Sequence, residues 1–156
     1  MESTNLTLRG EAADRFADTF VEEQAETARR SLNKRGVRNI HRYDGDGVSQ
    51  VAYEQAAPHL NSWLLISLLV ETVDSDTVTV VVFVGGSGEG PFKWEDAMLK
   101  SAIKGNDTVG EAGRLASVLR DIRDIADSLD LTVQKEWDSG GDGEPVARLL
   151  SEIFEP

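Results

Sequence analysis

Apolar positions cluster most densely in residues 63–84, where two runs rich in Leu, Val and Ile, Trp63 to Val73 and Thr77 to Val84, flank the short polar turn Asp74-Ser75-Asp76. That arrangement predicts an antiparallel hairpin formed by the two central strands of a sheet. Successive strand residues point to opposite faces, so Leu64, Ile66, Leu68 and Val70 share one face with Val78, Val80, Val82 and Val84. The opposite face collects Trp63, Leu65, Ser67 and Leu69 with Thr77, Thr79, Val81 and Phe83. Both faces are largely apolar at their centre. An antiparallel sheet usually leaves one face polar, so two covers are expected: helices on one side, and a partner subunit, a ligand or an extra helix on the other.

The flanking segments supply the rest of an α+β domain. Asn5 to Arg9 alternates and predicts a first strand. From Glu11 to Lys34, Ala12, Phe16, Phe20, Ala28 and Leu32 fall on a four-residue step beside Ala13, Ala17, Val21 and Ala25, which predicts one long amphipathic helix ending at Gly36. Val37 to Tyr43 and Val48 to Tyr53 bracket Asp44-Gly45-Asp46-Gly47 as a second hairpin, and Glu54 to Asn61 is a connection. The segment Phe92 to Gly105 can be helical. Thr108 and Glu111 have capping-box spacing for a further helix, carrying Leu115, Leu119, Ile122 and Ile125, that ends near Asp130. Leu131 to Trp137 alternates as a last strand.

The expected architecture is therefore an antiparallel sheet of about five or six strands with two main helices packed on one face, followed by a C-terminal tail helix. Residues 1–137 form the domain, 138–143 (DSGGDG) a flexible linker, and 144–156 the amphipathic tail carrying Leu149, Leu150, Ile153 and Phe154. The tail either folds back on its own sheet or docks on a neighbouring protein.

Composition narrows the chemistry. The chain has 156 residues, no cysteine and two histidines, which removes disulfides, thiolate metal sites and cysteine nucleophiles together. No charged-then-apolar leader opens it, and no run reaches the ~18–20 apolar residues of a membrane helix, so a cytoplasmic protein with no membrane partner is expected. Asp plus Glu number 28 against 16 Lys plus Arg, a formal charge of -12. This disfavours nucleic acid as a partner and resembles the proteins of salt-loving archaea, in which molar salt shortens the Debye length to about 3 Å.

The glycine stretch Gly85-Gly86-Ser87-Gly88-Glu89-Gly90 follows a strand and precedes a possible helix, so Gly86, Ser87 and Gly88 could offer backbone N–H groups to an anion, with Lys93 and Trp94 beside them. The spacing fits neither a P-loop, since Pro91 and Phe92 follow Gly90, nor the dinucleotide fingerprint, and a plain connection is the simpler reading. Asp44 to Gln55 lacks the acidic fifth and twelfth positions of a calcium loop. His41 and His59 have no metal-site or catalytic spacing around them, so no catalytic residue, metal or cofactor is expected. The order of strand, long helix, two hairpins and the Gly85-Gly86-Ser87 exit resembles small archaeal and bacterial proteins of an uncharacterised family, a resemblance that implies no activity.

The expected function is a non-enzymatic interaction or assembly module that self-associates as a homodimer or larger, through Trp63, Leu65, Leu69, Val81 and Phe83, the tail residues, or both. A small-ligand or anion-binding protein with a pocket near Gly85 to Trp94 is the alternative. The charge generates a test: transfer from molar salt to dilute buffer unscreens the repulsion and should loosen or unfold the chain, read as lost ellipticity in circular dichroism across a salt series. Unchanged stability would reject the halophilic reading.

Overall fold

Alternating segments of the chain form strands and its two strongest 3.6-residue patterns form helices. The computed structural model describes residues 2–30, 32–33, 35–57, 62–86, 110–135 and 151–154. Its elements run β1 (Glu2–Arg9), a 3-10 turn (Ala13–Arg15), α1 (Phe16–Arg29), β2 (Val37–Gly45), β3 (Val48–Ala57), β4 (Ser62–Asp74), β5 (Thr77–Gly85), α2 (Gly110–Ser128) and β6 (Thr132–Lys135). Residues 151–154 form a helical turn near the end of the chain. The strands make one six-stranded sheet in the order β2-β3-β4-β5-β1-β6, antiparallel throughout.

Register places the apolar rows of neighbouring strands opposite one another. Leu68 faces Val51 on β3 and Val82 on β5, while Ile66 faces Tyr53 and Val84. On β1, Leu6 and Leu8 meet Val80 and Val78. All of these inner-face side chains are buried, and the helices lie over them through Phe16, Ala17 and Phe20 of α1 and Leu115, Ala116, Leu119, Ile122 and Ala126 of α2. Full burial of one such Val, Leu or Phe contributes about 1.5–3 kcal/mol, which makes this layer the main source of stability. Ile153 joins the same core at 7% exposure, and Arg123 Nη1 donates to its carbonyl at 3.5 Å. The chain end is thus packed on its own domain at this point.

The ends of the first helix and of β3 differ from the sequence expectation. The first helix stops at Arg29, with Arg30 already extended at ψ 136°, rather than reaching Lys34. Beyond that end Asn33 serves the next strand: its side-chain Nδ2 donates to the Val37 carbonyl at 2.9 Å and its Oδ1 accepts from the Val37 N–H at 3.1 Å, imitating a strand partner. Leu32, expected on the apolar stripe, consequently lies 75% exposed. Glu54 to Ala57, expected as connection, extend β3, because Ser62 to Leu65 of β4 offer ladder partners that outweigh a weak strand propensity. The Thr108 cap, the possible helix at Phe92 to Gly105 and the linker 138–143 lie outside the described residues.

The β2–β3 hairpin is tied to α1 by Arg42, which pairs with Asp18 and, through Nε, with Asp44 at 2.8 Å. Ser49 Oγ donates to Asp44 at 2.6 Å, and this bond and Arg42 hold the Asp44 carboxyl below the usual carboxylate range. Among the described residues no helix is long and apolar enough to cross a membrane.

Two glycines separate conformational strain from crowding. Gly47, at φ +71° in the β2–β3 turn, has open space where a Cβ would stand; Gly36, at φ +62°, has the Ala56 Cβ there and accepts the Ala56 N–H at 3.2 Å. Gly47→Ala should therefore cost about 1–2 kcal/mol for the left-handed backbone alone. Gly36→Ala should cost about 3 kcal/mol or more, because overpacking adds to the strain. Denaturant unfolding in molar salt measures both; equal costs would mean that β3 yields freely.

Candidate functional site

The outer face of the sheet, turned away from the helices, is built by the alternate residues of each strand. Trp63, Leu65, Ser67 and Leu69 of β4 lie beside Ala52, Glu54 and Ala56 of β3 and Val81 and Phe83 of β5. Trp63 is 40% and Leu65 55% exposed, while Leu69, Val81 and Phe83 are half-buried. The five apolar residues anticipated for this face are therefore brought together on it. Tyr43, on the edge strand β2, extends the patch and is exposed.

One end of the patch is fixed by charge. A bulge between Arg38 and His41 shifts the β2 register, and Asn39 sits in the left-handed region at φ 52°, which asparagine tolerates better than most residues. Arg38 Nε and Asn39 Nδ2 both donate to Glu54 Oε2, at 2.7 and 2.9 Å. The guanidinium carbon of Arg38 lies 3.2 Å from the centroid of the Trp63 ring. A cation over an aromatic face is attracted by the ring quadrupole, so Arg38 restrains the Trp63 ring. Arg38 and then Asn39 pull the Glu54 carboxyl below its ordinary range. At the centre of the face, Gln50 Nε2 donates to Ser67 Oγ at 3.1 Å, pairing the polar groups between the apolar ones.

The charged residues that register assigns to this face are Arg9 and Arg38 against Glu54, Glu71 and, opposite Thr77 beside the β4–β5 turn, Asp74. They leave one net negative charge. Most of the formal charge of -12 is thus carried by other surfaces.

Other anticipated residues are distributed differently. Ile153 points into the core, and Phe154 packs partly buried against it. Gly86 follows β5 where an added Cβ would collide with the Leu64 side chain, so close packing already explains a glycine there. Ser87, Gly88, Lys93, Trp94, Leu149 and Leu150 lie outside the described residues. His41 is exposed on β2, and among the described residues no group of three or more His, Asp or Glu side chains is placed to hold a metal ion.

The sequence pattern did not point to a second polar feature between α1 and α2. Gln24 occupies the helical row that continues Phe16 and Phe20, yet is only 2% exposed. Its Nε2 donates to Asp121 Oδ2 at 3.2 Å, and Arg35 Nη1 reaches both oxygens of Asp121 at 2.7 Å. These residues, with Glu23, Thr27, Asp124, Ile125 and Ser128, line a cleft of about 210 Å³. Beneath the helices the Tyr53 ring lies 6.2 Å from that of Phe20. Its hydroxyl is pushed far above its ordinary pKa by burial and then by Asp121, so it stays protonated. The legible signal was the polar gap at Gln24 in an otherwise apolar four-residue row.

Compared by sequence, the chain matches no protein-family model and no curated protein.

The Arg38–Glu54 contact makes a pH prediction. A depressed folded-state pKa means that the Glu54 contribution to stability is present above the unfolded value of about 4.3 and is lost as pH falls through the folded value. Carboxyl carbon NMR should place the Glu54 midpoint below 4.3, and Arg38→Ala should move it upward. A midpoint unchanged by that substitution would show that the pair is not maintained in solution.

Proposed function

We propose that this chain is a non-enzymatic assembly module that pairs with a second copy of itself through the outer face of its sheet, in the salt-rich cytoplasm its acidic surface suits. The observation that carries the reading is an apolar patch with exposed Leu65 and Trp63 on a face whose charges nearly cancel. A contiguous exposed apolar patch on a soluble surface marks an interaction site more often than a lone apolar residue does.

Charge favours a second copy over a partner recognised electrostatically. Elsewhere the surface of a chain at -12 repels its own kind, whereas this face carries a single net negative charge and adds little repulsion. A two-fold pairing can also set Arg38 of one protomer against Glu54 or Glu71 of the other, since an isologous interface must be complementary to itself. The dimensions suffice: about six strands ~4.8 Å apart, of about eight residues at ~3.3 Å each, give a face on the order of 700 Å². Stable interfaces bury about 800 Å² per partner. The burial of Ile153 in its own core supports the sheet face, rather than that part of the tail, as the contact.

Multi-angle light scattering at micromolar concentration in molar salt should give twice the 17.0 kDa chain mass. Leu65→Glu should return the monomer with unchanged circular dichroism, since an exposed strand position tolerates charge while a paired one does not. A central interface anchor is worth about 2 kcal/mol or more, a roughly 30-fold loss of affinity. A wild-type chain that runs as a monomer would overturn the proposal.

A further inference from the structure

The cleft between α1 and α2 has the makings of a ligand site that is independent of the sheet face. Its least exposed lining side chain, Gln24, is turned so that Nε2 meets Asp121; the reverse orientation would set the amide oxygen against a carboxylate. That choice leaves Gln24 Oε1 buried and without a hydrogen-bond donor. A buried acceptor with no partner costs about 1–3 kcal/mol, and the buried Tyr53 hydroxyl, itself without a partner, does not donate to it, so the chain leaves this oxygen to a donor it does not supply. Asp121, which fixes the amide, is itself engaged by Arg35.

The remaining lining groups select the kind of donor. Glu23, Asp121 and Asp124 outnumber Arg35, and although Arg123 also binds Asp124 at 2.6 Å, the lining itself carries an excess of negative charge. An anion is therefore rejected. Ser128 Oγ donates its proton to the Ile125 carbonyl at 2.7 Å, so toward the cleft its oxygen can only accept, and Thr27 adds a second hydroxyl. Ile125 supplies an apolar wall. The volume of about 210 Å³ is below the ~300–1,000 Å³ of sites for drug-sized ligands, which limits the occupant to a few heavy atoms. No metal-holding group of side chains occurs among the described residues, and one amide oxygen with scattered carboxylates suits N–H donors better than a coordination shell.

We propose that this cleft binds a small primary ammonium compound, whose N–H groups donate to Gln24 Oε1 and whose charge is balanced by Glu23 and Asp124, with a short alkyl part against Ile125. Because Gln24 and Glu23 belong to α1 and Asp124 to α2, the ligand would bridge the two helices.

Amide NMR titrations at constant ionic strength test it, using ethylammonium, tetramethylammonium and acetate as probes. Ethylammonium should give saturable shifts at residues 23–28 and 121–128. Tetramethylammonium, a cation without N–H donors, should bind at least about 10-fold more weakly, as should ethylammonium to Gln24→Met, because a hydrogen bond to a charged donor is lost. Acetate should leave those residues unshifted. Should Gln24→Met fail to fold, Glu23→Gln at an exposed position gives the comparison, with ethylammonium affinity falling about threefold for a solvated ion pair. Shifts that never saturate, an equal response to tetramethylammonium or acetate, or an affinity unaltered in the folding variant would overturn the proposal.

Discussion

The described structure depends on the burial of one sheet face beneath two helices, α1 against β2 and β3 and α2 against β5 and β1. Leu64, Ile66 and Leu68 meet Val80, Val82 and Val84 under Phe16, Phe20, Leu119 and Ile122, and none of them is more than 2% exposed. The hydrophobic effect drives that burial without regard to direction, while the antiparallel ladder supplies the direction. Neighbouring strands are then placed by how well they continue the apolar row. β3 adds Val51 and Tyr53 on one side, and β1 adds Leu6 and Leu8 on the other. β6 comes last, at the far edge, bringing only Val133 as a partly buried contributor.

A sheet covered on one side leaves its other side and its edges to be managed. The β2 edge is charged, bulged and irregular, with Arg38, Asn39, His41 and Arg42 along it, and those features discourage pairing with a further strand. The outer face carries the opposite signature, apolar at its centre with charges that nearly balance. In a chain of net charge -12, distributing the acidic residues over the remaining surface preserves solubility while leaving one face able to approach another molecule.

Between the helices a polar link replaces apolar packing. Gln24, Asp121 and Arg35 join α1, the segment after it and α2, which fixes how the two helices sit against each other as a greasy contact alone would not. Such a link needs its groups paired, since burying an uncompensated charge costs more than the pair returns. Arg35 and Gln24 do that for Asp121, which leaves the Gln24 oxygen buried and unmatched.

The α+β class, both hairpins, the two helices and the division of the central strands into two faces were all legible in the pattern of residues. They follow from periodicities of 2 and 3.6 that local geometry enforces whatever the surroundings. The five apolar residues of the outer face were legible for the same reason. What the pattern could not decide were features set by partners distant along the chain. The strand order, with β1 inserted between β5 and β6, depends on which apolar rows meet in space. The extension of β3 through Ala57 came from the ladder with β4. Gln24 looked like an interruption of a stripe; only the arrival of Asp121 from 97 residues away made it a buried, oriented amide. Periodicity reports which face a residue occupies, and tertiary contact alone reports what that face meets.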